Sequence, residues 1–193
     1  MADVSRDDAW QLVTEWIDSD SLRKHLLGVE AAMRAYARKW NEDEELYAVT
    51  GLVHDLDYER YPDLDTGHPR YAIKELEERG YPKEVIDAVA GHADFMGVPR
   101  ETRMAKTLYS VDELSGFVAA CALVRPTGIE GMKPKSVKKK LKQPSFAAGV
   151  HRDEVYAGAE LLGLELDEHI RNVVEALQPI AAELGLRTAA DAA

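Results

Sequence analysis

Four histidines and two aspartates in this chain sit at spacings that turn each toward an apolar stripe. His25 is three residues after Leu22 and four before Val29, a helical spacing that puts all three on one face. His54 and Asp55 follow Val53 at the end of an apolar run. His68 precedes Ala72 by four, His92 follows Val89 by three, and Asp112 follows Leu108 by four. Buried without partners, each polar group would cost on the order of 1–3 kcal/mol, and a bare carboxylate far more. A divalent cation removes that cost for all of them at once. Neutral imidazoles donate a lone pair and carboxylates neutralise charge. Six such groups are enough for two metals, with Asp55 as the natural bridge. Two close divalent ions can turn a bridging water into hydroxide near neutral pH and polarise a phosphoryl oxygen. The expected catalytic residues are Asp55 and, just beyond the ligands, Asp57 as a supporting or proton-handling group.

A bland alternative exists for each residue taken singly. A lone inward histidine is more often a hydrogen-bonded core residue than a ligand, and His-Asp is a common dipeptide. What carries the metal reading is the ordered set, each member on its own apolar segment. Other residues get structural readings. His169 reads as a helix-flank residue outside the block, His151 as a capping or surface residue, and Cys121 as a small buried hydrophobe. No GxGxxG, Walker A or GxSxG pattern occurs, which leaves dinucleotide, P-loop and serine-hydrolase chemistry without support.

The positioning elements read as helices throughout. Leu22, Leu26, Val29, Met33, Tyr36 and Trp40 step by three or four. Leu46, Val49 and Val53 continue the pattern. A short helix opened by His68 is expected to end at Gly80, and another to carry Pro82 in its first turn. Met104 to Val118 marks a longer helix. Leu166 to Leu184 reads as one last helix capped by Gly185. No stretch alternates with period two. The expectation is an all-α chain of roughly seven to nine helices. Its single domain, 1–193, would comprise a metal-binding core over 20–124, a basic loop over 125–149, and two additional C-terminal helices over 150–187. The tail RTAADAA reads as frayed.

The chain has 193 residues, 46% hydrophobic and 31% charged, with a formal charge of −11. That is an ordinary globular composition and excludes a disordered chain. Residues 126–150 hold six lysines against Glu130, so this segment carries +5 and the rest −16. Arg125, just before it, and Lys138, Lys140 and Lys142 within it are the candidate contacts to a substrate anion. Nucleic acid is an improbable partner for so acidic a chain. One cysteine, no apolar run long enough to span a membrane and no secretory signal together point to the cytoplasm.

The pattern His25…His54-Asp55…His68…His92…Asp112 resembles the HD superfamily of metal-dependent phosphohydrolases. AVTGLVHDLDYE resembles its His-Asp helix, AVAGHADF the later histidine helix, and KTLYSVDELSGF the helix of the last aspartate. The likeness covers about residues 20–124, and more narrowly the chain resembles predicted HD hydrolases labelled HDIG. It implies a helical bundle with the metal site between helices. It implies that His25, His54, Asp55 and Asp112 hold one metal, and that His68 and His92 complete a second across Asp55. It implies one or two divalent ions, with iron or manganese favoured over zinc, cobalt or nickel. It also implies a small phosphorylated substrate, either a phosphoester or a nucleotide anhydride. Many members follow His-Asp with Ile-Gly-Lys; here Leu56-Asp57-Tyr58 stands there, so the family's phosphate-side lysine is missing. Some HD proteins with these six ligands are di-iron oxygenases, and a non-catalytic metal-binding sensor is a third possibility on this scaffold.

Overall fold

The structure is a computed structural model and describes residues 4–187. The flanking residues, including all but the first of the expected frayed tail, lie outside that range. Among the described residues the chain is all helical. In chain order the helices are α1 (Arg6–Trp16), α2 (Asp20–Trp40), α3 (Glu44–Val53), α4 (Arg70–Glu78), α5 (Lys83–His92), α6 (Arg103–Leu123), α7 (Pro134–Leu141), α8 (Arg152–Leu161) and α9 (Leu166–Leu177). A single 3₁₀ turn, Asp94–Met96, follows α5.

Local chemistry sets the starts. Ser5 and Asp8 form a reciprocal capping box on α1, so two orphan donors are satisfied together. Side-chain oxygens of Ser19, Asp43 and Thr102 accept from the first turns of α2, α3 and α6, which fixes where those helices begin. Helices α2 and α6, each of 21 residues, pack against one another. Helices α3 and α9 lie on α2, and α5 and α8 on α6. Tyr36, Met33, Phe117, Leu108 and Leu114 are fully buried between them. One apolar cluster runs without a break from Ala9 in α1 to Leu186.

Three boundaries differ from the sequence expectation, each at a proline or a turn. His68 does not open α4, because Pro69 occupies the N-cap and the helix starts at Arg70; a residue before proline is disfavoured in helical geometry. Pro82 is the N-cap of α5 rather than part of its first turn. The last apolar stretch is not one helix. Helix α9 ends at Leu177, since Pro179 has no amide hydrogen to continue the ladder. Turns carry the chain on to Gly185, whose φ of +69° closes the segment. The basic stretch 125–149 is not wholly loop, for α7 lies within it and buries Val137 and Leu141, the pair spaced four apart.

Candidate metal centre

Five separate stretches of chain converge on one point. Helix α2 supplies His25 from its first third. Helix α3 ends at Val53 and presents His54 and Asp55 just beyond. The turn before α4 supplies His68, α5 ends on His92, and α6 supplies Asp112 from its middle. One glycine lets these backbones approach. A Cβ on Gly51 would lie 3.0 Å from the Glu30 backbone, so α3 packs directly on α2 beside His54. Gly116, one turn beyond Asp112, faces His25, where a Cβ would stand 3.7 Å from Nδ1 in ordinary van der Waals contact.

Asp55 stands at the centre, and its two oxygens face opposite ways. Oδ2 lies 3.6 Å from His54 Nε2 and 3.9 Å from His25 Nε2. Oδ1 lies 3.4 Å from His92 Nε2 and 3.5 Å from His68 Nε2. Asp112 Oδ1 completes the first side, 3.0 Å from His25 Nε2 and 3.4 Å from His54 Nε2. Two donor groups therefore share one carboxylate, His25–His54–Asp55 with Asp112 on one side and Asp55–His68–His92 on the other.

The histidine tautomers show what these groups fit. His54 Nδ1 donates to Gly51 O at 2.9 Å, His92 Nδ1 to Val89 O, and His68 Nδ1 to Asp57 Oδ1 at 2.8 Å. A hydrogen on Nδ1 leaves Nε2 as a bare lone pair in the neutral ring. All three Nε2 atoms point inward. His54 Nε2 is completely buried and has no hydrogen-bond partner. The Nε2 atoms of His68 and His92 lie 3.2 Å apart, where two lone pairs repel. Donors on one divalent ion, each about 2.0–2.2 Å from it, stand about 3.0–3.5 Å from one another. The separations around Asp55 fall mostly in that band. The residues present fit a divalent cation on each side of Asp55.

The charge balance points the same way. Burial alone would lower the His54 pKa, but Asp55 and Asp112 overrule it and push it up to about 9. Burial would raise the Asp112 carboxyl, yet His54 and His25 hold it well below the usual carboxylate range. The His54 charge likewise holds Asp55 down against its burial. The field in the cluster therefore favours positive charge.

Asp57 is not in the cavity. It is completely buried; one oxygen accepts from His68 and the other from the Ala72 amide at 2.9 Å. It fixes the ring and tautomer of His68 and ties that ring to the first turn of α4.

The cluster forms the floor of a cavity of about 760 Å³. Its walls include Leu22, Tyr58 and Phe95, and its upper rim Glu113, His151 and Glu154. Among the described residues no lysine or arginine lines it. The four cations expected to meet a substrate lie elsewhere. Arg125 donates to Gly128 O at 2.8 Å and Glu130 O at 2.9 Å in its own loop. Lys138 pairs with Asp167 on α9. Lys140 sits 4.4 Å from the Phe146 ring centre. Lys142 is exposed at the end of α7. Arg125 and Lys140 instead border a separate hollow of about 180 Å³ beside Cys121.

Sequence reasoning missed the rim. His151 Nδ1 donates to Glu113 Oε1 at 2.8 Å, and Glu154 lies 3.7 Å away. The pairing crosses 38 positions; its local signal was Glu113 next to Asp112. His169 is neither ligand nor flank. It is fully buried, with Nε2 donating to Ser110 O at 2.8 Å and Nδ1 accepting from Tyr36 at 2.6 Å.

A helical protein with histidines and aspartates gathered on both sides of one carboxylate is of the metal-centre class. Residues 22–116 match the family profile of the HD domain. The chain belongs to the HD superfamily, a family of metal-dependent hydrolases. No curated protein matches it. No helix among the described residues is long and apolar enough to cross a membrane.

Proposed function

We propose that the protein is a metal-dependent phosphohydrolase acting on a small phosphoester. His25, His54, Asp55 and Asp112 would hold one divalent ion, and His68 and His92 a second across Asp55, with iron or manganese favoured. Two ions there would lower the pKa of water toward neutrality and polarise a phosphoryl oxygen. The observation that carries the reading is Asp55, one oxygen turned to each histidine group. The chain supplies the rest. Gly51 O, Asp57 and Val89 O aim the imidazoles, and Leu22, Tyr58 and Phe95 wall the space above them. A lining with neither lysine nor arginine suits a substrate with one phosphoryl group better than a nucleoside triphosphate, whose added charges would go unpaired.

The test is phosphate release by manganese- or iron-loaded protein from a panel of monoesters and nucleotides. Release that disappears in His54→Ala and Asp55→Asn, with the helical signal retained, supports the proposal. Oxygen uptake without phosphate release would replace it with oxygenase chemistry. Turnover unchanged in both variants would end it.

A further inference from the structure

We infer that His151 is the general acid of this site and delivers the Nε2 proton to the oxygen that leaves phosphorus. The inference rests on the phosphohydrolase reading and adds the residue which that reading lacks.

His151 lines the same cavity as His25, Asp55, His68, His92 and Asp112, but it belongs to neither histidine group around Asp55. It is the N-cap of α8, yet its side chain makes no capping bond. The ring reaches across to α6 instead. There Glu113 grips it twice, with Oε1 accepting from Nδ1 at 2.8 Å and Oε2 from the His151 amide at 3.2 Å. Nδ1 is thus committed and Nε2 is the free nitrogen. The side chain is 70% exposed and belongs to the cavity lining, so the ring can exchange protons with solvent. Glu113 directly follows the ligand Asp112, which ties the rim to the floor through one peptide.

The surrounding carboxylates favour the charged ring. A helix N-terminus disfavours an imidazolium. The Glu113 hydrogen bond opposes that and, with the nearby charges of Glu113, Glu154 and Asp112, raises the His151 pKa despite some burial. With no lysine or arginine in the lining among the described residues, His151 is the lining residue outside the two histidine groups best placed to donate a proton. A carboxylate orienting an imidazole whose second nitrogen faces the reaction is the general arrangement of an acid–base histidine.

The proton balance closes. The attacking water gives one proton to solvent, and its oxygen bonds to phosphorus as the P–O bond to the leaving group breaks. The bonding pair stays on the leaving oxygen, which takes the His151 proton and departs as an alcohol. The neutral ring regains a proton from solvent, to which it is open. Glu113 is a positioning residue.

The experiment compares ethyl phosphate with 4-nitrophenyl phosphate on the full, manganese-loaded chain. Ethoxide needs a proton to leave, whereas nitrophenolate does not. His151→Gln is expected to lower kcat on ethyl phosphate by about 100-fold and on the nitrophenyl ester by less than about threefold. The basic limb of the kcat profile on ethyl phosphate should vanish, with metal content unchanged. Glu113→Gln should move that limb to lower pH, and imidazole NMR of the zinc-loaded protein should show the His151 pKa falling in the same variant. Equal loss on both esters would overturn the assignment. So would the leaving-group pattern appearing in Glu154→Gln and not in His151→Gln. If the unaltered protein releases phosphate from neither ester, the hydrolase reading itself fails and this one with it.

Discussion

The Nε2 atoms of His68 and His92 face each other at 3.2 Å, and each ring carries its hydrogen on the other nitrogen. Two lone pairs so placed need a shared cation or a proton between them. A cation held by both, with Asp55, would define a site separable from one held by His25 and Asp112. The double variant His68→Ala/His92→Ala is therefore expected to lower metal content from about two ions per chain to about one. Elemental mass spectrometry on anaerobically prepared protein decides it. One ion in both proteins would reduce the two histidines to packing or substrate contacts.

Asp57 makes a sharper test, because it touches the metal side only through His68. Asp57→Asn keeps an acceptor for Ala72 but can turn an amide N–H toward His68 Nδ1, where two donors conflict. The ring then loses its enforced tautomer. Loss of such a partner typically costs about 10–100-fold in metal affinity. Competition with a chelator should show that loss for the second ion, with the first unaffected. Equal weakening of both ions would show that Asp57 acts on the fold rather than on His68.

His25, His92 and Asp112 could be read in the sequence because helical spacing couples position to burial, whereas His54, Asp55 and His68 lie just outside helices and were marked by the ordered set. A histidine three residues from a core valine faces inward whatever the tertiary arrangement. His151 could not be read this way. Its partner lies 38 positions away on another helix, and an exposed histidine at a helix start carries no periodic signal. The lysines of 133–142 were visible as charge, but charge density does not say which hollow a helix borders. The end of α9 was legible and overlooked: apolar spacing runs on through Ile180 and Leu184, while Pro179 removes the hydrogen bond that spacing assumes.

Helix α8 can hold His151 over the floor because Gly158 lies against α6. A Cβ there would meet the Ser110 Cα at 2.7 Å, backbone that cannot rotate away. Alanine in a helix gains up to about 1 kcal/mol over glycine, whereas forcing apart two packed helices costs about 1–3 kcal/mol. The steric cost wins. Gly158→Ala should lower stability in a denaturant titration, and it should impair turnover of ethyl phosphate by displacing His151. A gain in stability would mean α8 shifts freely and does not fix the rim.

His169 links the C-terminal helix to the core in a way that pH can report. Asn172 donates to the Tyr36 hydroxyl, Tyr36 donates to His169 Nδ1, and Nε2–H donates to Ser110 O. Both ring nitrogens are thus used in the neutral form, and a second ring proton would displace the tyrosine hydrogen. Burial dominates and lowers the pKa to about 4 from an ordinary 6.5. The unfolded chain therefore takes up a proton that the folded chain refuses between those values. Stability from this residue is complete above about pH 6.5 and falls as pH drops toward 4, by about 3 kcal/mol in all. His169→Gln should be less stable at pH 8, having lost the hydrogen-bonded ring, but its denaturation midpoint should fall less steeply between pH 6.5 and 4. Parallel pH profiles for the two proteins would show that His169 takes up its proton equally in the folded and unfolded chains, and would overturn the depressed pKa.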